Sequence, residues 1–264
     1  MRHSFAFLAA VLVAACQSNT ISRDRIAEIV ASPDRSAADR TNDQRRKPES
    51  MLAFIGVREG MQVMDLSAGG GYTTELLARA VGPTGKVYGQ SSPPNPNAPK
   101  PAAPEGGAAP SAPAPRLTSA QRLAERAKNP KAGNIVAVVR PFEDPAPPEL
   151  AGSLDLVTLM FNYHDLGYLN VDRARMNRAA FAALKPGGMY VVADHSGRPG
   201  TGISEGGTLH RVEEALVRRE IEAAGFRLAE EGNFLRNPND PRDRNTPEPP
   251  MPKDEFLLKF VKPR

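Results

Sequence analysis

The sequence predicts an α/β domain built on a mostly parallel, seven-stranded sheet with helices on both faces. Three observations predict it. Short apolar runs rich in β-branched residues alternate with stretches of helical periodicity. Three consecutive glycines, Gly69, Gly70 and Gly71, follow the first of those runs at once and precede a helix, so bare backbone can approach a ligand there. The last two strands have no helical pattern between them and therefore pair with each other at the end of the chain.

The elements follow in chain order. Residues 1–16 have the composition of a secretory signal. Arg2 and His3 give a basic start, 5–13 is an apolar run too short to span a bilayer, and Val13-Ala14-Ala15-Cys16 closes it. That closing tetrad resembles the lipobox of bacterial lipoproteins, which implies cleavage before Cys16 and lipid attachment to it. Gln17 after it resembles the outer-membrane sorting context. An ordinary signal peptide with an incidental cysteine is the other reading. With one cysteine in the chain, no intrachain disulfide can form. The expected location is the periplasmic face of a bacterial membrane, the outer one, with the membrane as a partner through the lipid anchor. Residues 17–47 are polar and charged and end in Arg45-Arg46-Lys47; Ile26 to Val30 form the apolar side of one helix, and the remainder reads as a spacer.

The domain is expected over residues 48–264. Helix 48–54 comes first, with Met51, Leu52 and Ile55 packing on the sheet, and strand 63–66 follows it. After the glycines, Thr73 or Thr74 caps a helix that buries Leu76, Leu77, Ala80 and Val81. Gly82-Pro83 stops it, Gly85 turns the chain and 86–89 is the second strand. Residues 91–115 are a Pro/Ala-rich insertion that cannot bury enough apolar surface to offset its ordering entropy; it is a lid over the pocket or a tolerated loop expansion. Beyond it come helix 117–128, strand 134–139, strand 154–160, helix 172–184, strand 188–194 and helix 209–224, with Val212, Leu216 and Ile221 on one side. Strands 226–230 and 256–261 end the domain, separated by a Pro/Asn/Asp-rich loop at 237–252.

The glycines are not spaced as the G-x-G-x-x-G of a dinucleotide site, which disfavours a nicotinamide-dependent oxidoreductase. Here Asp65-x-Ser67-x-Gly69-x-Gly71 resembles motif I of the class I S-adenosylmethionine-dependent methyltransferases, D/E-x-G-x-G-x-G. Leu154-Asp155-Leu156-Val157 resembles that family's fourth strand, and Leu184-Lys185-Pro186-Gly187-Gly188 the turn before its fifth. Covering residues 48–263, the resemblance implies a Rossmann-like fold ending in an antiparallel hairpin, S-adenosylmethionine as cofactor and a small-molecule methyl acceptor. It implies that Asp65, Ser67, Ala68, Gly69 and Gly71 hold the methionine part of the cofactor and Gln90 its ribose. Phe142 and Asp144 would hold the adenine, and Asn162 completes the cofactor set. Phe142 is alternatively a buried ring in a turn. Ser67 and Gln90 depart from the family pattern, where a glycine and an acid stand, so a ligand-binding module that has lost methyl transfer is the alternative. A glycine turn that merely closes a strand-helix unit is the plainer reading of the loop alone.

Asn-Tyr-His-Asp over 162–165 and Asp-His-Ser over 194–196 resemble the marks of an exported bacterial branch of such proteins and fall at strand carboxyl ends, where open α/β sheets bind ligands. The tetrad lacks the prolines of the amino-group enzymes, so that acceptor class is not assigned, and Tyr163 stacks on a substrate or fills the core. Of the four histidines, His164 and His195 each adjoin a carboxylate, Asp165 and Asp194, and His210 begins the next helix. His164, Asp165 and His195 are the candidate catalytic residues, a neutral imidazole removing a proton as the methyl group transfers. Convergence of these groups with His210 on a metal is the second reading, though their spacing carries no compact metal motif and none is assigned. Pinning of loops by His195 is the third. A net charge of +4 without clustering gives no case for a nucleic-acid partner.

Overall fold

Five of the apolar runs pair in parallel and form most of one sheet. The structure is a computed structural model and describes residues 20–94, 117–247 and 250–264; Cys16 and nearly all of the Pro/Ala-rich insertion lie outside the described residues. The strands are β1 (Gln62–Leu66), β2 (Lys86–Ser91), β3 (Ile135–Val139), β4 (Leu154–Met160), β5 (Leu184–His195), β6 (Arg227–Gly232) and β7 (Glu255–Val261). Their order is β3-β2-β1-β4-β5-β7-β6. β1 pairs in parallel with both β2 and β4, so the chain reverses its winding between β1 and β4, which opens a crevice at their carboxyl ends. β7 lies antiparallel between β5 and β6. The sheet is the one expected from the sequence, including the terminal hairpin.

The helices are α1 (Arg23–Ala31), α2 (Ala37–Arg46), α3 (Pro48–Ile55), α4 (Tyr72–Val81), α5 (Ser119–Arg126), α6 (Asp165–Tyr168), α7 (Arg173–Ala183), α8 (Gly206–Leu209) and α9 (Glu214–Ala223). They cover two apolar layers. Met51, Leu52, Ile55, Leu76, Leu77, Val81 and Leu123 fill one face of the sheet. Met176, Ala180, Val217, Ile221, Phe226 and Phe256 fill the other.

Two segments differ from the sequence expectation. Residues 20–47 are two helices packed on the domain rather than one helix and a spacer. Ile26 and Ile29 are buried, and α2 is fixed by charge: Arg35 grips Asp43 with two bonds of 2.7 and 2.8 Å. The single helix expected over 209–224 is broken. His210 takes a left-handed φ of 51°, and Val212 bridges to Ser196 before α9 begins, its N–H donating to the His195 carbonyl at 3.0 Å. The left-handed residue and the bridge after it end the helical run there.

Candidate functional site

The loop from β1 to α4 is shaped by positive φ angles at Ser67 (53°), Gly69 (56°) and Gly71 (82°). Ser67 adopts the conformation for which glycine is suited, at a cost of roughly 1 kcal/mol. Gly71 is required for a second reason. A Cβ there would lie 2.7 to 2.9 Å from side-chain atoms of Arg126 and Leu123, because α5 packs directly across the loop. Arg126 donates to the Gly70 carbonyl and, through its other nitrogens, to Asp39 of α2 and Glu75 of α4. Tyr72 donates its hydroxyl to Asp43 at 2.7 Å. Helices α2 and α5 thus clamp the glycine loop from two sides.

Asp65 ends β1 beneath the loop. Its two oxygens accept from Thr74 and Thr158, each at 2.7 Å. Burial pushes its carboxyl up to about 6, the two hydroxyls and the Arg46 charge pulling the other way. Thr74 therefore serves Asp65 and does not cap α4, whose N-cap is Gly71.

Asp65, Ser67, Ala68, Gly69, Thr73 and Asn162 line an open cavity of about 240 Å³ at the β1 and β4 ends, with Arg46 and Phe161 on its wall. The Arg46 guanidinium lies 3.7 Å from the centre of the Phe161 ring. It makes no ion pair among the described residues, and burial with Arg45 beside it lowers it to about 10. Arg46 was not identifiable as a site residue from sequence, since it sits in a run of basic residues on a polar helix.

Three of the sequence-predicted cofactor residues lie elsewhere. Gln90 is fully buried, and its amide is used internally: Oε1 accepts from the Ser67 N–H at 2.9 Å and Nε2 donates to the Arg140 carbonyl at 2.7 Å. It ties the glycine loop to the end of β3 instead of presenting itself to a ribose. Phe142 is a core ring in the layer with Met64 and Leu66, and Asp144 pairs with Arg140; neither lines the cavity. Apolar neighbours and an adjacent cation claim these two side chains.

At the far wall, Asn162 donates to Asp165 Oδ2 at 2.5 Å. His164 is buried between two carboxylates, with Nδ1 2.6 Å from Asp194 Oδ1 and Nε2 3.1 Å from Asp165 Oδ1. Burial opposes its charge, but Asp194 and Asp165 outweigh that and lift it to about 9. His164 is thus an imidazolium at neutral pH, and the expectation of a neutral base at this position is corrected. His195 is the reverse case. Burial outweighs the attraction of Asp194 and holds it well below its ordinary value, hence neutral, with Nδ1 3.0 Å from Glu255 Oε1. The three histidine rings form a row, His164 lying 5.6 Å from His195 and 5.4 Å from His210. Donor atoms of His164, Asp165 and His210 all lie within 4.8 Å of one another; His195 is outside that trio. Tyr163 is core, its hydroxyl donating to Glu220.

Among solved structures, an S-adenosylmethionine-dependent methyltransferase from Aquifex aeolicus matches at 16% identity with a TM-score of 0.57, covering 91% of this chain and 98% of the other. The chain has the class I methyltransferase fold. That fold also carries other chemistry: the cyclase SpnF matches at 15% identity with a TM-score of 0.55, over 86% of this chain and 81% of its own. In sequence, demethylmenaquinone methyltransferases of Staphylococcus aureus are 30% identical over 146 residues, 55% of this chain and 48% of theirs. The chain thus spans about half the length of the curated relatives it matches. No family model matches it. Among the described residues no helix is long and apolar enough to cross a membrane.

Proposed function

We propose that this protein is an S-adenosylmethionine-dependent methyltransferase acting on a small molecule, exported and held at a membrane through a lipid on Cys16. The observation that carries the reading is the cavity over the glycine loop, whose lining matches the cofactor's charges. It sets the buried carboxyl of Asp65, held by Thr74 and Thr158, and the Arg46 guanidinium, without an ion pair among the described residues, on opposite demands, a cation and a carboxylate, around bare backbone at Ser67 to Gly69. An amino acid bearing a sulfonium presents both charges. When bound, that cofactor supplies an electrophilic methyl group.

The chain's own residues then have two tasks. Asn162, on the cavity wall and bonded to Asp165, orients the acceptor. Of the two imidazoles only His195 is neutral and so able to accept the acceptor's proton, as a weak base in its buried setting, while the cationic His164 beside it balances developing negative charge. The curated relatives are named for demethylmenaquinone, and a planar, membrane-soluble acceptor of that kind suits a lipid-tethered enzyme. The test is transfer of an isotopically labelled methyl group from S-adenosylmethionine to a panel of hydroxylated and quinol-type small molecules. Label in an organic-extractable product, abolished in Asp65→Ala, supports the reading. Tight cofactor binding with no transfer to any acceptor favours the second reading, a ligand-binding module, for which the inward turn of the Gln90 amide is the supporting observation.

A further inference from the structure

We propose that His164, Asp165 and His210 form a binding site for one divalent transition-metal ion of the zinc class. The donor atoms are His164 Nε2, Asp165 Oδ1 and His210 Nδ1. Asp165 Oδ1 lies 3.1 Å from the first and 3.4 Å from the second nitrogen, and all three atoms fall within 4.8 Å of one another. Ligands held about 2.0 to 2.1 Å from a tetrahedral zinc stand about 3.3 Å apart, so two edges of the triangle already have that length.

Ion pairing with the histidines holds Asp165 here, but hydrogen bonding leaves one atom of the cluster unmet. Asp165 Oδ1 is buried and has no hydrogen-bond partner among the described residues, although two ring nitrogens lie this close. Short contacts without aligned N–H groups are what atoms converging on a common point produce. A buried carboxylate oxygen left in this state has an acceptor position open to a cation.

The surroundings are built to hold the trio. Asp194, fully buried, accepts from the His164 backbone N–H at 2.8 Å and contacts Nδ1 at 2.6 Å, which turns Nε2 toward Asp165. A carboxylate behind a ligating imidazole fixes its orientation and raises its basicity. Asn162 occupies Asp165 Oδ2 and leaves Oδ1 for the site. α8 packs so tightly on this turn that a Cβ on Gly206 would lie 2.1 Å from the His164 carbonyl. Directly after α8, the left-handed backbone of His210 brings its ring edge-on to His164. The His210 side chain, about a quarter exposed, leaves an entry path.

Two imidazoles and one carboxylate favour zinc, iron or cobalt over magnesium or calcium, which prefer oxygen. On binding, the ion replaces the proton on His164 Nε2, which is released to solvent. Three protein ligands leave a coordination position open. Because Asn162 belongs to both this cluster and the cavity, an acceptor oxygen can take that position and be made more acidic there. That last role rests on the proposed methyl transfer; metal binding itself does not.

The test is calorimetric titration of chelator-stripped protein with Zn²⁺, paired with the visible spectrum of the Co²⁺ form, for wild type, His210→Asn and Asp165→Asn. Asparagine tolerates the left-handed backbone at 210, and circular dichroism confirms that each variant folds. The expected result is saturable binding of one Zn²⁺ per chain, a tetrahedral Co²⁺ spectrum, and affinity lower by about tenfold or more in each variant. Folded wild type with no saturable binding, or binding unchanged in both variants, overturns the proposal. A parallel titration with S-adenosylmethionine in chelator separates failure of this site from failure of the cofactor site.

Discussion

The Gln90 amide serves two backbone groups from different loops, the Ser67 N–H and the Arg140 C=O, at a fully buried position. A carboxylate there could accept from the first but would face the second with like charge. Gln90→Glu is therefore expected to lower stability by about 2 kcal/mol at neutral pH. The deficit shrinks toward pH 5, where the protonated acid regains a donor; urea unfolding at two pH values checks this. Asp65 gives the proposed cofactor site its own pH dependence. Its folded value of about 6 lies above the ordinary 3.8, so the folded protein binds more protons than the unfolded chain between those values, and stability declines as pH rises through that window. A bound cation reverses the preference. S-adenosylmethionine affinity should rise several-fold from pH 5 to pH 7, and Asp65→Asn should flatten the profile in calorimetric titrations. Arg46→Gln removes the guanidinium and is expected to weaken the same binding by about tenfold, from loss of one charge-assisted contact.

Helices α2 and α5 are the elements on which the glycine loop depends. α5 lies so close to Gly71 that Gly71→Ala forces Leu123 and Arg126 aside and places an L-residue at φ 82°. A loss of about 2 kcal/mol in denaturant unfolding is expected, together with weaker cofactor binding, and unchanged stability would contradict this packing. The strands and α3, α4, α5, α7 and the terminal hairpin were legible in the sequence, because apolar periodicity marks what a sheet buries. α2 was not. Its sequence, Ala-Ala-Asp-Arg-Thr-Asn-Asp-Gln-Arg-Arg, has no apolar stripe, and it docks through the Arg126–Asp39 and Tyr72–Asp43 contacts with partners distant in sequence. Gln90 was misread for the same reason: the carbonyl it serves belongs to Arg140, and nothing local signals that demand. The break at His210 was hidden because residues on both sides of it fit a helical period.

At the scale of the molecule, the sheet reverses between β1 and β4, and the Asp65 loop and the Asn162–Asp165 turn meet at that reversal from opposite sides. The loop cavity and the histidine row are therefore neighbours by topology, joined through Asn162. The proposed tether belongs to this scale as well. Cys16→Ser should move the protein from the membrane to the soluble fraction of the cell envelope, which fractionation and immunoblotting would follow; a variant still fully in the membrane would contradict attachment there. The central claim, that the loop cavity is a cofactor site, is tested most directly by calorimetric titration of the purified protein with S-adenosylmethionine and its demethylated product, alongside Asp65→Ala. The account predicts micromolar, one-to-one binding of both that is lost in the variant. Well-folded wild-type protein that binds neither would contradict it.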